Sequence, residues 1–181
     1  MTDIAPAISH DGGAGQTSMV AANSSDLDTH TAQFITFSVG DEEFGIDIVT
    51  VREIKGWAET TSLPNTPTFM RGVLNLRGTI VPIYDLRARF GLGQTQATTN
   101  HVIVIVAVSD RIIGILVDAV SDILSISGED VRAVPEMGAP IDQRFLTGLV
   151  TVDNRMVALL EPEQLFDLEV FDQNSADDRS V

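Results

Sequence analysis

The chain has 181 residues, of which 44% are hydrophobic and 20% are charged, and its formal net charge is −15. This composition is typical of a soluble globular protein, and the absence of cysteine excludes disulfides, thiol chemistry and a cysteine-based zinc site. Since net negative charge repels phosphate, we expect no nucleic-acid partner. The longest apolar run, Val102–Val108, is far shorter than the ~18 residues of a spanning helix, so we expect no membrane insertion.

The charge is unevenly distributed along the chain. Residues 1–31 hold four acids and no Lys or Arg, and residues 161–181 hold seven acids and one Arg. Six basic side chains lie between positions 52 and 89, namely Arg52, Lys55, Arg71, Arg77, Arg87 and Arg89. This local excess suggests a protein partner that carries carboxylates. The first residues, from Met1 to Ile4, lack the pattern of an export signal, so we expect a cytoplasmic protein.

In chain order, the first predicted element is a disordered tail over residues 1–31, which have no hydrophobic periodicity. Residues 34–39 predict a strand, and residues 43–47 predict the strand that returns after a turn. The apolar spacing over residues 48–54 favours one or two helical turns over a strand.

A second hairpin is predicted over residues 72–86, closed by Arg77 and Gly78. A short helix at 87–90 and a polar linker at 91–100 follow. The second half of the chain then predicts strands over 101–108 and 111–117, a strand or turn over 121–127, a loop between Pro135 and Pro140, a hairpin over 148–160 and a terminal helix over 163–170.

The two halves of the chain are similar to each other. Residues 34–54 match residues 103–123 at a shift of 69 positions. Residues 69–90 match residues 145–166 at a shift of 76 positions. A repeat of this length indicates one small structural unit that is used twice.

The main mismatch between the two copies is a charge at a turn. Arg77 occupies a hairpin tip where the second copy has Asp153, and Glu53 corresponds to Asp122. Opposite charges in one copy therefore become like charges in the other, and we predict an ion pair between Glu53 and Arg77. The alternative is that both side chains are separately solvated, because isolated surface ion pairs are weak.

Several segments resemble the CheW family, the coupling proteins of bacterial chemotaxis; they are residues 44–47, 51–54, 63–67, 71–87, 114–122 and 146–149. The stretch from Asn75 to Gly78, with the Pro-x-x-Asp-Leu-Arg that follows, is long enough to be specific. The resemblance implies an all-β fold of two tandem five-stranded SH3-like barrels with short helices, no catalytic activity and no cofactor. Residues 32–99 would form the first barrel, residues 100–170 the second barrel with its terminal helix, and residues 171–181 an acidic tail.

The resemblance also implies the partners. A protein of this family joins the cytoplasmic tips of methyl-accepting chemoreceptors to the histidine kinase CheA, whose regulatory domain has the same fold. Contacts between CheW-like domains can therefore form rings within a receptor array. We expect a cytoplasmic adaptor that is recruited to membrane-bound arrays.

Two sets of contact residues follow from the resemblance. Receptor contacts are expected at Val51, Arg52, Glu53, Gly72 and Arg77. Kinase or ring contacts are expected at Trp57, Arg132, Glu136 and Met137. Trp57 also fits a role as a cover over one barrel mouth, and Met137 would be an adaptable apolar contact.

No arrangement of residues predicts catalysis. His10 and His30 lie in the tail and His101 begins a strand, so no metal-ligand spacing is present. Asp85 and Asp118 are candidate paired acids, but no cleft is predicted for them. Two alternatives stay open: a CheW-like scaffold in a non-flagellar chemosensory system, and a small-ligand-binding double barrel. The second alternative needs an aromatic-lined pocket, and the chain has one Trp and one Tyr.

Overall fold

The computed structural model of the protein describes residues 31–135 and 141–166. The ten strands in these residues are β1 (Thr31–Val39), β2 (Glu42–Asp47), β3 (Val51–Gly56), β4 (Met70–Leu76), β5 (Thr79–Asp85), β6 (Val102–Val108), β7 (Arg111–Val117), β8 (Ala119–Ser127), β9 (Leu146–Val152) and β10 (Arg155–Leu160). The helices are short: α1 (Leu86–Arg89), α2 (Pro162–Leu165) and the 3-10 helices Ile48–Thr50, Gly128–Asp130 and Gln143–Phe145. None of the helices in the described residues is long and apolar enough to cross a membrane.

The strands form two five-stranded sheets. Sheet 1 has the order β8-β1-β2-β10-β9, and sheet 2 has the order β3-β6-β7-β5-β4. The predicted all-β fold with two five-stranded units and short helices is confirmed. Each sheet takes two neighbouring strands from one copy of the repeat and three strands from the other copy.

The two sheets do not divide at the boundary predicted between residues 99 and 100. Sheet 2 is built from the continuous segment 51–117, whereas sheet 1 combines residues 31–47 with residues 119–160. The reason lies in the pairing, because the hairpin β1-β2 is inserted between β8 and β10, both of which come from the other copy. The chain crosses between the sheets at Ile48–Thr50 and again at Asp118.

The repeat in the sequence is also a repeat of strand register. In sheet 2, Ile54 pairs with Val104. In sheet 1, Ile123 pairs with Ile35. Ile123 lies 69 positions after Ile54, and Val104 lies 69 positions after Ile35. The prediction of one unit used twice is therefore confirmed at the level of individual residue pairs.

The predicted helical turns over residues 48–54 are only partly correct. Ile48–Thr50 is a 3-10 helix, and the Asp47 side chain accepts a hydrogen bond from the Val49 N–H at 2.9 Å. From Val51 the chain is extended as β3, because its backbone pairs with β6. Tertiary pairing thus overrides the apolar spacing.

Two predicted terminal segments lie largely outside the described residues. β1 begins at Thr31, the last residue of the predicted N-terminal tail. At the other end, α2 covers Pro162–Leu165 and ends before Phe166, whereas residues 167–170 of the predicted helix and the predicted acidic tail over 171–181 lie outside the described residues.

The largest hydrophobic cluster lies between the sheets and takes buried residues from both. Aromatic rings make up much of it, with centroid distances of 4.9 Å between Phe44 and Phe90 and 4.7 Å between Tyr84 and Phe166. Burial raises the pKa of the Tyr84 phenol above its usual value, against an opposing effect of Arg111. Each sheet also covers a smaller cluster of its own. The continuous apolar contact fixes the sheets relative to each other.

Arg89 contributes a charged contact to this central region. Its guanidinium carbon lies 4.8 Å from the ring centroid of Phe69 and 4.4 Å from that of Phe145, two residues at equivalent positions of the repeat. Its Nε donates a 2.6 Å hydrogen bond to the carbonyl of Leu165. Arg89 therefore links the ends of the two copies by cation–π and hydrogen-bond contacts.

Candidate protein-binding surfaces

The turn between β4 and β5 has an unusual residue at its tip. Arg77 and Gly78 form a two-residue hairpin loop, with φ angles of 52° and 90°. Two positive φ angles are typical of a type I′ turn, which favours Asn, Asp and Gly. For an Arg this left-handed conformation costs about 1 kcal/mol. The equivalent turn of the second copy uses the better suited Asp153 and Asn154, at φ 49° and 63°.

The predicted ion pair between Glu53 and Arg77 is confirmed. Arg77 Nη2 lies 3.2 Å from both Oε1 and Oε2 of Glu53. The Arg77 side chain is 83% exposed and the Glu53 side chain is 33% exposed. An ion pair at this exposure contributes at most about 1 kcal/mol to folding. The guanidinium is therefore available to a further carboxylate, and the arrangement supports binding better than it explains stability.

Exposed residues surround Glu53 on the same segment of chain. Val49 is 76% exposed in the 3-10 helix, and Ile54 is 44% exposed in β3. Arg52 is exposed at a β-bulge, where the register shifts between Val51 and Glu53. Val51 is half-buried and packs against the central cluster. We call the residues Val49, Arg52, Glu53, Ile54 and Arg77 the Glu53–Arg77 surface.

Val49 and Ile54 were not identified from the sequence. The apolar spacing over residues 48–54 counts Ile48, Val51 and Ile54 and not Val49, and such spacing does not show which apolar side chains are exposed. The repeat does contain a signal for Val49, because the 69-residue shift places Asp118 at the equivalent position. An apolar residue where the other copy has an acid indicates a different environment.

Gly72 does not present a surface for the predicted receptor contact. The residue is buried, with φ 130°, and an added Cβ would lie 2.2 Å from the carbonyl oxygen of Thr61. The backbones of Thr61 and Val73 exchange two hydrogen bonds of 2.9 Å at this point. Gly72 therefore allows the loop after β3 to pack closely against β4.

Arg71, one of the six basic residues between positions 52 and 89, belongs to an internal network. Its Nη1 donates to the Thr95 carbonyl at 3.0 Å and lies 3.7 Å from Asp85 Oδ2. Asp85 is fully buried, and it accepts bonds from the Thr95 N–H at 2.8 Å, the Thr95 hydroxyl at 2.7 Å and the Ala88 N–H at 3.1 Å. The network attaches the linker after α1 to sheet 2.

The two candidate paired acids belong to separate networks. Asp118 Oδ2 accepts a 2.7 Å hydrogen bond from the Gly40 N–H, and Asp118 Oδ1 lies 3.6 Å from His101 Nε2. Asp85 is bound by Arg71 and Thr95, as described above. Within residues 31–135 and 141–166, no group of three or more His, Asp or Glu side chains is arranged to hold a metal ion.

Trp57 covers part of sheet 2. Its side chain is half-buried and packs against the hydrophobic cluster of that sheet, and its backbone N–H donates to the His101 carbonyl at 2.9 Å. The guanidinium carbon of Arg71 lies 5.5 Å from the ring centroid. These contacts support the interpretation of Trp57 as a cover, and its kinase contact stays a prediction.

The predicted contact at Arg132 lies on sheet 1, unlike Trp57. Arg132 is exposed, and its backbone exchanges hydrogen bonds of 2.7 and 2.8 Å with Leu149 in β9. Further along the chain, before β9, the hydrogen-bonded guanidinium of Arg144 holds the pKa of Asp142 below its usual value. The other two predicted contacts, Glu136 and Met137, lie outside the described residues.

A groove of about 570 Å³ lies on sheet 1, where Val134, Pro135 and Ile141 border it. Its apolar lining includes Val134, Pro135, Ile141, Leu146 and Met156. Met156 is 62% exposed. The acids Asp41, Glu42 and Glu43 also line the groove, and Glu43 pairs with Arg155 at 3.0 Å. We call these residues the sheet 1 groove; an open apolar groove with charged neighbours is typical of a protein-binding site.

Comparison with known proteins identifies the family. The CheW-like domain model matches residues 33–170. The chain is 43% identical to the probable chemotaxis protein CheW of Rhizobium etli, over 74% of this chain and 86% of that protein. It is 41% identical to the chemotaxis protein CheW of Rhizobium meliloti, over 76% of this chain and 88% of that protein.

A solved structure supports the same assignment. The crystal structure of the scaffolding protein TtCheW from Thermoanaerobacter tengcongensis matches with a TM-score of 0.70 and 32% sequence identity. The match covers 75% of this chain and 88% of that protein. Taken with the double sheet and the exposed Glu53–Arg77 pair, these similarities show that the chain belongs to the CheW-like family.

Proposed function

We propose that the protein is a chemotaxis adaptor that couples the cytoplasmic tips of chemoreceptors to the histidine kinase CheA and supports control of the kinase. The observation that carries the proposal is the exposed ion pair at the Arg77 turn, in a chain of the CheW-like family. An arginine held in an unfavourable backbone conformation at the surface has no packing role that would explain it.

The Glu53–Arg77 surface is proposed to bind the receptor. It offers two exposed apolar side chains, Val49 and Ile54, on the same segment of chain as Glu53, the ion-pair partner of Arg77. Apolar side chains contribute to binding when a partner covers them, and a guanidinium can bind a partner carboxylate with charge-assisted hydrogen bonds. Val51 is half-buried against the central cluster, so its contribution would be to support the exposed residues.

The kinase is proposed to bind elsewhere, through Arg132, Glu136 and Met137 and through the sheet 1 groove. Arg132 and the groove belong to sheet 1, whereas the Glu53–Arg77 surface belongs to sheet 2. The shared hydrophobic cluster holds the two sheets in a fixed relation. Such a protein acts by binding alone, because it keeps two partners in a defined geometry, and it needs no cofactor.

The proposed place of action is the cytoplasm, at membrane-bound receptor arrays, where CheW-like domains would also contact one another in rings. A scaffold in a non-flagellar chemosensory system would use the same two surfaces. A small-ligand-binding function is less well supported, because Phe44 is the one aromatic residue among the described lining of the groove on sheet 1. Trp57 is likewise the one aromatic residue among the described lining of a polar cleft on sheet 2.

We expect Arg77→Ala and Glu53→Lys each to weaken binding of a receptor signalling fragment about tenfold, or 1.4 kcal/mol. Both side chains are at the surface, so the thermal melt should stay close to that of the unmodified protein. Binding is measured by titration calorimetry, and stimulation of kinase autophosphorylation is followed in parallel.

The matched control is Asp153→Ala, at the equivalent turn position of sheet 1, which should bind the receptor fragment normally. Unchanged affinity and unchanged kinase stimulation for both sheet 2 variants, with native melts, would refute the assignment of this surface.

A further inference from the structure

We propose that Asn75 is a positioning residue for Arg77, fixing the turn so that the guanidinium points toward Glu53 and toward a partner carboxylate. This inference rests on the proposed function of the Glu53–Arg77 surface and extends it to a residue without a predicted contact. It starts from the hydrogen bond that Asn75 Oδ1 accepts from the Gly78 N–H, at 2.8 Å.

The hydrogen bond acts on the peptide unit at the tip of the turn. Asn75 lies in β4, opposite Ile80 in β5, and its side chain reaches across the loop. The Gly78 N–H belongs to the peptide bond that joins Arg77 to Gly78. Holding this N–H restricts rotation about the bond that follows the Arg77 Cα atom, and therefore restricts the direction of the Arg77 side chain.

The turn needs such support at Arg77, because arginine, unlike Gly78, does not favour a positive φ angle. Asn and Asp tolerate the left-handed conformation well, and the second copy has both, at Asp153 and Asn154. Arg77 has no such preference, although it adopts the same conformation. The position equivalent to Asn75 in the second copy is occupied by Thr151. The asparagine and the arginine are thus both particular to the first copy.

The ion pair alone is a weak constraint on Arg77. Its side chain is 83% exposed, and the long side chain can leave Glu53 for water at little cost. If the turn were not fixed, binding of a partner to the guanidinium would have to order both the turn and the side chain, and this loss of entropy would lower the affinity. With the tip peptide fixed by Asn75, the backbone part of that ordering is already complete.

The test is a double-mutant cycle between Asn75→Ala and Arg77→Ala. Asn75→Ala should lower the affinity for a receptor fragment about five-fold and should speed hydrogen exchange of the Gly78 amide. On the Arg77→Ala background, the same substitution should change affinity less than two-fold, because it acts through Arg77. Asn75→Asp retains an acceptor oxygen and should keep the slow Gly78 exchange. Thr151→Ala is the matched control and should alter neither measurement.

Two results would overturn the proposal. Equal losses of affinity in the presence and absence of Arg77 would show that Asn75 acts on its own, through direct contact or general stability. Unchanged Gly78 exchange in Asn75→Ala would show that the side chain does not hold the turn. If Arg77→Ala binds the receptor fragment normally, the proposed receptor surface is wrong; Gly78 exchange and nuclear Overhauser contacts between Arg77 and Glu53 in Asn75→Ala still decide whether Asn75 positions Arg77.

Discussion

Asp85→Ala is expected to lower the free energy of unfolding by about 3 kcal/mol, the low end of the cost of breaking a buried ion pair. Asp85 is fully buried, and its removal leaves the hydroxyl and N–H of Thr95 and the N–H of Ala88 without their acceptor. The partner Arg71 is 22% exposed and can be partly rehydrated, which is why we expect the lower value.

The repeat provides a matched control for this experiment. Glu161 occupies the position equivalent to Asp85, is half-buried, and makes no side-chain hydrogen bond to cap α2. We expect Glu161→Ala to cost less than about 1 kcal/mol in urea unfolding at neutral pH. A cost for Asp85→Ala as small as that for Glu161→Ala would contradict the role of the network in sheet 2.

Gly72→Ala is expected to destabilise the protein by roughly 3 kcal/mol, from backbone strain and steric overlap together. The added Cβ would lie 2.2 Å from a backbone oxygen of Thr61, which cannot move as a flexible side chain can. The two hydrogen bonds between Thr61 and Val73 would be disturbed in consequence. The free energy of unfolding in urea, with the slope checked for two-state behaviour, measures the effect.

Gly91→Ala separates strain from overlap. Gly91 also has a positive φ, 75°, but an added Cβ there meets no atom within 4 Å. We expect a cost of about 1 kcal/mol for this substitution, since only the conformational preference is lost. Equal costs at the two glycines would mean that the close approach of Thr61 is unimportant for stability.

Local pattern is sufficient to predict most strands and the tip of the hairpin β4-β5. The alternation before Gly40 and the turn at Arg77 and Gly78 identified both hairpins of the first copy, because turn residues report backbone conformation directly. The ion pair of Glu53 with Arg77 was also predictable, since the two copies differ there in the sign of charge. Because the two copies of the repeat share one fold, a residue that differs between them is not required by that fold.

The exchange of strands between the two copies could not be predicted in the same way. Alternating hydrophobicity shows that β1 and β2 have a buried face, but it does not show which strands flank them. The pattern of alternating hydrophobicity would be the same whether the strands of one copy paired with each other or with strands of the other copy. The same limit applies to Arg71, which the sequence places among basic residues that suggest a carboxylate-bearing partner, although its carboxylate Asp85 is internal and buried.

In the proposed function, one protein holds receptor and kinase at the same time through separate surfaces. The most direct measurement immobilises a receptor signalling fragment and follows retention of the kinase regulatory domain with and without this protein. We expect retention only when the protein is present, reduced retention of both the protein and the kinase domain for Arg77→Ala, and reduced retention of the kinase domain alone for Met156→Glu in the sheet 1 groove. Displacement of the receptor fragment by the kinase domain would contradict the claim, because it would show that the two partners compete for one surface.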